Sequence, residues 1–420
     1  MVDRQGVAQL AVPIAVALDR AAVVLVPVVA GAANLAYEVR DASDTSAPPI
    51  GFLRSQGAGA MKGSSYDLRR EAAIVRAAGT AGFPVAEVVR TFDDPVSILM
   101  RVVPGASRLS ADETELVAAE YLGLVSRLHD TDPSVFPVDQ HSTIGDAIQA
   151  DLDWWAGLAI DGGVGDVPVL QVAERVLRET MPQVDDAPVM VHGDVGPGNF
   201  MVEHGRVTAM LDWEVAHVGD PHEDLAWMWM RGAHTEFGDP LTRLAEYEAA
   251  SGRHLDLTRL RWHLAFVMWK SCISMEVGLR RYPATSATLL HSVVLLTYEA
   301  LLGAQIVRVL GGSYELLTQQ PKRSANHTVR LAERLLETEG LTREAQLIAE
   351  YLRDQAAQAE WAHGEAFGET HEAHSIDAAR QIARAADRAA MASPKAIRRI
   401  ERAQRIGLGT LNEPTIGDWR

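Results

Sequence analysis

Residues 189–202 have the sequence Val-Met-Val-His-Gly-Asp-Val-Gly-Pro-Gly-Asn-Phe-Met-Val, and residues 207–214 continue with Val-Thr-Ala-Met-Leu-Asp-Trp-Glu. The turn Glu-His-Gly-Arg lies between them, and the branched apolar residues on either side of this turn predict a β-hairpin. Asp194 precedes the hairpin, Asn199 opens its first strand and Asp212 ends its second strand. The predicted hairpin therefore carries a carboxylate or an amide at each of its ends.

The spacing of these polar residues suits phosphoryl transfer. Moving a γ-phosphoryl group requires a carboxylate near the attacking hydroxyl and oxygen ligands for Mg²⁺. Protein kinases supply these groups through the pattern H-R-D-x-x-x-x-N, followed by a metal-binding Asp. His192, Asp194 and Asn199 have the same offsets here, with Gly193 in place of the Arg, and Asp212 follows.

Two further motifs follow the first within 35 residues: Asp-Trp-Glu at 212–214 and Gly-Asp-Pro-His-Glu-Asp-Leu-Ala at 219–226. Together the three motifs resemble those of the aminoglycoside phosphotransferase and choline kinase-like family, relatives of protein kinases that phosphorylate small-molecule hydroxyls. The resemblance covers roughly residues 20–310. It implies an α+β, two-lobed protein-kinase-like fold, with an antiparallel N-lobe sheet plus a helix and a mostly helical C-lobe.

The resemblance also implies a role for each motif residue. Asp194 is expected to be the catalytic carboxylate, which orients the substrate hydroxyl and accepts its proton. Asn199 and Asp212 are expected to bind Mg²⁺ that bridges the phosphates of ATP, and GTP stays open as the donor. Gly196 departs from relatives with a larger polar or basic residue there, so position 196 offers no side chain to the phosphoryl group. The residues expected to support these loops are His192, Glu214 and Asp224.

Upstream, alternating apolar runs predict the strands of an N-lobe over residues 1–103. Strands are predicted at 23–29, 35–40, 50–54, 84–90 and 96–100. A helix is predicted to start near Ser64, with Asp67 three residues later completing a cap. A helix over residues 5–19 is predicted to lie outside the nucleotide site.

By resemblance, this N-lobe binds the nucleotide. The turn that contains Gly31 and Ala32 is expected to cover the phosphates. Arg54 stands where kinases carry a phosphate-binding Lys, and Glu71 is its expected partner. Lys62 is a second candidate for a phosphate contact. The residues whose backbone is expected to hold adenine are near Met100 and Val102.

Downstream, apolar residues recur with helical spacing. The predicted helices cover 112–129, 144–158, 167–180, 241–251, 257–279 and 287–310. The catalytic and acceptor-binding C-lobe is predicted over 104–315. Residues 322–420 are predicted to form a helical appendage, which packs on the kinase core or mediates homodimerisation.

Composition limits the class of protein. The chain has 420 residues, of which 47% are hydrophobic and 23% charged, as expected of a globular protein with two or three domains. A net charge of −17 argues against general nucleic-acid binding and against an anionic membrane surface. The one cysteine, Cys272, excludes an intramolecular disulfide. Without a transmembrane run or a convincing signal peptide at residues 7–18, we expect a cytoplasmic protein.

Two other functions stay open. The dense field of His and Asp residues between 192 and 224 can be interpreted as the metal site of a phosphohydrolase. A nucleotide-binding protein that has lost transfer is the third possibility, supported by Arg54 and Gly196. The acceptor of a kinase also stays open among an aminoglycoside-like compound, an alcohol, a sugar and a hydroxyacyl thioester, because pocket shape selects it.

Overall fold

The computed structural model describes residues 4–28, 34–57, 66–107, 109–232 and 237–281, with a few helical positions between 295 and 309. The chain divides into two compact units. The first is formed within Met1–Ile148 and Val184–His254, and the second within Gln149–Gln183 and Leu255–Arg420. The predicted division at residues 103/104 and 315/322 stays a prediction, and the predicted appendage lies outside the described residues.

The described secondary structure confirms the α+β class. The strands are β1 (Val23–Val28), β2 (Leu35–Asp41), β3 (Gly51–Ser55), β4 (Val88–Asp93), β5 (Val96–Met100), β6 (Val189–Val191), β7 (Phe200–Glu203), β8 (Arg206–Met210) and β9 (His217–Gly219). The helices are α1 (Arg4–Ala8), α2 (Ala11–Ala17), α3 (Leu68–Thr80), α4 (Ala111–Asp130), α5 (Ile144–Asp161), α6 (Pro168–Glu179), α7 (Pro221–Gly232), α8 (Pro240–Ser251) and α9 (Leu257–Arg281). Of the predicted helix over 287–310, most positions lie outside the described residues.

Five antiparallel strands form the sheet of the first unit in the order β1-β2-β3-β5-β4. Ile98 and Leu99 are neighbours in β5, so their side chains enter opposite faces of this sheet. Leu99 packs in a cluster with Ile14 and other residues of the N-terminal helices, whereas Ile98 packs against Leu68 and Ala72 of α3. The predicted antiparallel sheet with a helix is therefore confirmed, and two short helices replace the single helix predicted over 5–19.

Helix α3 begins later than the sequence predicts. Its N-cap is Asp67, whose carboxylate accepts the backbone N–H groups of Arg69 at 2.9 Å and Arg70 at 3.1 Å. These bonds satisfy two of the donors that a helix start leaves free. Ser64, the predicted start, lies outside the described residues. Glu71 follows in the first turn, so its position depends on this cap.

The predicted hairpin is present as β7 and β8. Its turn residues His204 and Gly205 have φ values of 51° and 72°, which is the two-residue geometry that matches the twist of the strands. Strand β6, which leads into the motif, pairs with β9. This second pairing is not predicted from the sequence, because β9 has three residues and no turn links it to β6.

The second unit is helical in the part of the chain that the structure describes. Trp262 and Trp269 of α9 donate their indole N–H groups to the carbonyls of Leu177 at 3.3 Å and Leu170 at 3.0 Å in α6. Aromatic burial with satisfied N–H groups therefore fastens α9 to α6. Among the described residues, we find no helix with both the length and the apolar character needed to cross a bilayer.

Candidate active site

The loop between β6 and β7 brings Asp194 and Asn199 into contact. The Nδ2 of Asn199 donates to the Asp194 carboxylate at 2.6 Å and to the Asp194 carbonyl at 2.8 Å. The backbone carbonyl of Asn199 accepts the N–H of Leu211 at 2.8 Å. Asn199 is thus bonded to Asp194 through its side-chain amide and to Leu211, the residue before Asp212, through its backbone.

Asp212 follows β8 in an unusual conformation. Its φ is 64°, in the left-handed region that non-glycine residues adopt at a cost. Its side chain is 44% exposed, which is more than the side chains of Glu71, Asp194 and Glu214. A strained backbone and an accessible carboxylate together suit a residue that has to meet a ligand.

The first residues of the loop are held by Asp224 of α7. Its two carboxylate oxygens accept the backbone N–H groups of His192 at 2.9 Å and Gly193 at 2.8 Å. Gly193 has a φ of 77°, and a Cβ there would lie 2.6 Å from the carbonyl oxygen of Val215. Because a side chain does not fit, Gly replaces the Arg of the protein-kinase pattern.

A buried hydrogen-bond chain supports Asp224. The Nε2 of His129 lies 3.0 Å from the Asp224 carboxylate, and its Nδ1 lies 2.7 Å from the hydroxyl of Tyr247. His192 contributes its backbone N–H to Asp224, while its ring packs 4.7 Å from that of Trp213. Burial lowers the pKa of His192 and favours the neutral imidazole.

Arg54 of β3 lies at the centre of an acidic cluster. It forms an ion pair with Glu71 of α3 and donates from Nη2 to Asp212 at 3.1 Å and to Glu214 at 3.4 Å. Glu71 is buried, so the pair is not a surface ion pair. Burial raises the pKa of Glu71 to about 7, against the lowering effect of Arg54. Burial and the charge of Asp212 raise the pKa of Glu214 to about 8.

Two further residues hold the loop that carries Glu214. Asn34 donates from Nδ2 to the Glu214 carboxylate at 2.9 Å. Arg70 donates to the backbone carbonyls of Glu214 at 3.3 Å and Ala216 at 2.6 Å. Sequence reasoning missed both residues. Their only signal is position, since Asn34 is the last residue of the predicted phosphate turn at 31–34 and Arg70 precedes Glu71.

The other predicted nucleotide contacts are Gly31, Ala32, Lys62, Met100 and Val102. Gly31, Ala32 and Lys62 lie outside the described residues. Met100 pairs with Phe52 and Val88 in the sheet and packs against the α3 cluster, and Val102 follows with 42% of its surface exposed. The contact network of Arg54 includes neither Met100 nor Val102 in the part of the chain described. Their adenine-binding role stays a prediction.

Gly105, in the segment that follows β5, packs directly on β7. Its φ is 106°, and a Cβ there would lie 2.2 Å from the carbonyl oxygen of Val202. Ala106 and Val202 exchange two backbone hydrogen bonds of 2.9 Å. The segment after β5 is therefore tied to the hairpin that carries the motif.

Sequence reasoning also missed Arg231, in the last turn of α7. Its Nη1 donates to both carboxylate oxygens of Asp194, at 2.8 and 2.9 Å, and its Nη2 donates to the Asn199 Oδ1 at 3.1 Å. Burial raises the pKa of Asp194 to about 6, and the charge of Arg231 opposes this rise. The available signal in the sequence is one cation that directly follows the apolar run at 225–230.

The donor set of this site fits hard divalent cations. Asn199 and Asp212 offer an amide and a carboxylate oxygen, which are the ligands that Mg²⁺ and Ca²⁺ prefer. Asp212 and three further carboxyl groups share this cluster with two guanidinium groups, so that acidic side chains outnumber basic ones. The carboxylates are those of Glu71, Asp194, Asp212 and Glu214.

Three residues of the His/Asp-rich segment, Asp220, His222 and His204, have positions that local structure explains without a metal ion. The Asp220 carboxylate accepts the His222 backbone N–H at 2.9 Å at the start of α7 and lies 2.8 Å from its ring Nδ1. Asp220 therefore caps the start of α7. His204 is a turn residue of the hairpin, with a positive φ. Neither histidine needs a metal to explain its place.

Comparison with known proteins identifies similar sequences and folds. A family model described as phosphotransferase enzyme family matches residues 25–263. Acyl-CoA dehydrogenase family member 10 of Mus musculus is 26% identical over 189 residues, which are 42% of this chain and 18% of that protein. Hygromycin-B 4-O-kinase of Escherichia coli is 27% identical over 175 residues, which are 36% of this chain and 49% of that protein. The chain therefore spans between about a fifth and a half of these relatives.

Among solved structures, a thermostable mutant of aminoglycoside phosphotransferase APH(4)-Ia, in a ternary complex with ADP and hygromycin B, has a similar fold. The TM-score is 0.51 at 16% identity, and the match covers 73% of this chain and 99% of that one. A second mutant of the same enzyme, bound to AMP-PNP and hygromycin B, matches with a TM-score of 0.50 at 18% identity and covers 69% of this chain and 96% of that one. At these identities the likeness concerns the fold alone.

Proposed function

The chain belongs to the phosphotransferase enzyme family, whose model matches more than half of its residues, and we propose that it is an ATP-dependent kinase acting on a hydroxyl group of a small molecule. The observation that carries this proposal is the contact between Asp194 and Asn199 beside Asp212. A carboxylate, an amide and a second carboxylate in this order are the groups that γ-phosphoryl transfer requires.

Asp194 is proposed as the catalytic carboxylate. The acceptor hydroxyl donates its hydrogen bond to Asp194, its oxygen forms the new bond to the γ-phosphorus, and the bond from that phosphorus to the leaving ADP oxygen breaks. The hydroxyl proton passes to Asp194. A positioned base of this kind contributes about 10²–10⁴-fold in rate.

Asn199 and Asp212 are proposed to hold Mg²⁺. When bound, the cation neutralises charge on the nucleotide phosphates. The fit of the donor oxygens supports this proposal, as does the excess of carboxylates over guanidinium groups around them. Arg54 contributes by holding the Asp212 carboxylate from the side of β3.

The nucleotide is proposed to bind between the predicted phosphate turn and the segment around Met100 and Val102. In this proposal Gly31 and Ala32 cover the phosphates, Arg54 and Glu71 lie beside them, and Met100 and Val102 flank adenine. The contact of Asn34 with Glu214 supports the first part, because Asn34 is the last residue of the predicted phosphate turn. ATP is the first donor to test, and GTP the second.

The acceptor is proposed to be a small molecule with a free hydroxyl. Hygromycin B, streptomycin, choline-like alcohols, sugars and hydroxyacyl thioesters form the panel to test. Hygromycin B is chosen because a phosphotransferase of similar fold binds it, and streptomycin is included as a second aminoglycoside-like compound. The thioesters are chosen because some relatives are named as acyl-CoA dehydrogenase family members.

The first test is the thermal stability of the protein against ATP, with and without Mg²⁺. A ligand at a hundredfold excess over its dissociation constant stabilises by about 2.7 kcal/mol. We expect a shift that needs Mg²⁺, that falls in Asp212→Asn and that persists in Asp194→Asn. The control is Asp153→Asn, because Asp153 is also a half-exposed carboxylate paired with an Arg.

Transfer is then measured with labelled ATP and the acceptor panel. We expect label on an acceptor with the wild type and the Asp153 variant, and at least about 100-fold less with Asp194→Asn. If Zn²⁺ or Mn²⁺ stabilises the protein and ATP does not, the phosphohydrolase alternative replaces the kinase. If ATP binds without Mg²⁺ and no acceptor is labelled, a nucleotide-binding protein without transfer replaces it.

A further inference from the structure

Arg231 commits its whole guanidinium group to the catalytic loop. Beyond its bonds to Asp194 and Asn199, its Nε and Nη2 both lie 3.3 Å from the carbonyl oxygen of Pro197. An Arg side chain has five N–H donors in a rigid fork. The partners of this fork are three loop residues within six positions of one another. Such a convergence holds a loop in one shape.

The loop is in turn shaped around Arg231. Gly196 has a φ of 141°, and a Cβ there would lie 2.9 Å from the Cβ and 3.2 Å from the Cδ of Arg231. Gly198 has a φ of 94°, and a Cβ there would lie 3.2 Å from the Nη2 of Arg231. Both glycines therefore leave the space that the Arg side chain crosses. The absence of a side chain at position 196 therefore leaves the room that the Arg231 side chain occupies.

One helix holds both halves of the loop. Asp224 of α7 accepts the backbone N–H groups at the start of the loop, and Arg231 contacts its end. Residues seven positions apart lie on the same face of a helix, two turns from each other. On the loop itself, the Gly196 N–H donates to the hydroxyl of buried Tyr121 at 3.2 Å. The loop is therefore anchored at its start, middle and end.

We propose that Arg231 is a positioning residue of the phosphoryl-transfer site, which aims the Asp194 carboxylate and fixes the orientation of the Asn199 amide. Because Nη2 of Arg231 can only donate, the Asn199 atom that it contacts is the amide oxygen Oδ1. The amide nitrogen Nδ2 therefore faces Asp194. The amide oxygen has a second lone pair that remains for a cation. This inference rests on the proposed kinase function.

The test compares Arg231→Ala with Arg231→Lys. A Lys has one nitrogen on a flexible stem and cannot hold the carboxylate and the amide in one plane. We expect Arg231→Ala to lower kcat by about 100-fold, the lower range for a misplaced catalytic group, with the KM for ATP changed by less than about threefold. Arg231→Lys should fall between this variant and the wild type. If Arg231→Ala does not fold, Arg231→Gln replaces it.

Adding guanidinium ion to the assay distinguishes a residue that positions Asp194 and Asn199 from one that only stabilises the fold. At a concentration that leaves the wild type unaffected, it should raise the kcat of Arg231→Ala by about tenfold or more, because the free cation can refill the site. The matched control is Arg178→Ala. Arg178 is 33% exposed against 27% for Arg231, and it pairs with Asp153 and Glu174. Its removal should leave kcat unchanged, with or without guanidinium.

A second readout does not depend on transfer. In the wild type, the Nδ2 protons of Asn199 bond to two oxygens of Asp194, so their NMR signals should be sharp and slow to exchange with water. Asn199→Ala identifies these signals. We expect them to broaden or exchange faster in Arg231→Ala and to persist in Arg178→Ala.

Three results bear on the proposal separately. A folded Arg231→Ala protein with kcat within about threefold of the wild type overturns it. A loss of thermal stability without guanidinium rescue, and with unchanged Asn199 signals, makes Arg231 a structural brace and also overturns it. Absence of transfer by the wild type overturns the kinase function instead, and the Asn199 signals still decide whether Arg231 orients the loop.

Discussion

The carboxylate of Asp224 accepts the backbone N–H of Gly193 at 2.8 Å, and in doing so it joins a helix to the first residues of the catalytic loop. The same carboxylate accepts the His192 N–H and contacts the ring of His129. A fully buried anion is tolerated when donors surround it in this way. The conformation of the loop therefore depends on α7 as well as on its own residues.

Asp224→Asn should destabilise the protein by about 2–4 kcal/mol, because an NH₂ group then faces backbone N–H donors in a buried site. The measurement is urea unfolding followed by tryptophan fluorescence. Asp239→Asn serves as the control, since Asp239 caps α8 by accepting the Thr242 N–H at 2.9 Å and Asn caps about equally well. Equal losses in the two variants would contradict the role given to Asp224.

Gly193→Ala should lower the free energy of unfolding by about 2 kcal/mol or more, because the new Cβ meets the Val215 carbonyl and φ is positive. Gly123→Ala is the matched control. Gly123 lies inside α4 with no atom within 4 Å of an added Cβ, so Ala should stabilise by up to about 1 kcal/mol. Opposite signs in urea unfolding are expected, and two stabilising changes would refute the packing of the loop on Val215.

Arg54 and Glu71 should behave as a coupled pair. Arg54→Met leaves Glu71 buried beside two other acids and should cost about 3–5 kcal/mol. Glu71→Gln in the same chain removes that charge and should restore part of the loss. A double-mutant cycle measured by urea unfolding should give a coupling energy above about 1 kcal/mol. Additive effects would mean that the two side chains do not depend on each other.

The buried ring of His192 should make stability depend on pH. Because burial lowers its pKa, the unfolded chain takes up a proton below about pH 6.5 that the folded protein does not. Stability should therefore fall as pH falls below 6.5, by at most about 1.4 kcal/mol per pH unit from this group. His192→Asn loses packing on Trp213, so the quantity to compare is the slope and not the stability itself. Identical slopes for the two proteins would show that His192 titrates as it does in the unfolded chain.

Local elements followed the sequence closely. The hairpin of β7 and β8 was predictable, since its turn residues and alternating strands lie within eleven residues. Strand β5 has the predicted bounds, whereas the strand predicted over 84–90 is β4 and covers Val88–Asp93. The start of α3 was predicted too early because Ser64 and Asp67 are both good caps. The pairing of β6 with β9 escaped prediction, since three-residue strands carry almost no pattern of their own.

The contacts of the candidate site also fall into local ones, which the sequence predicts, and long-range ones, which it does not. Asp194 and Asn199 are five positions apart, so their contact depends on one loop, and the spacing of residue types was enough to single them out. Arg231 is 37 positions from Asp194, and Asn34 is 180 positions from Glu214. Nothing within either local segment indicates such a partner, because the contact exists only after helices and strands have packed.

The sequence by itself therefore determined the family, the α+β class and the carboxylates and amide of the motif, because these depend on residue types at short spacings. Only the tertiary structure decided that Arg54, already paired with Glu71 in the prediction, also meets Asp212 and Glu214, and that Arg231 of α7 meets Asp194. The local sequence around an Arg on a helix or strand does not show whether its side chain faces solvent or a buried acid. Its partner is set by which faces pack together, since burial makes an unpaired charge costly and leaves one arrangement favoured.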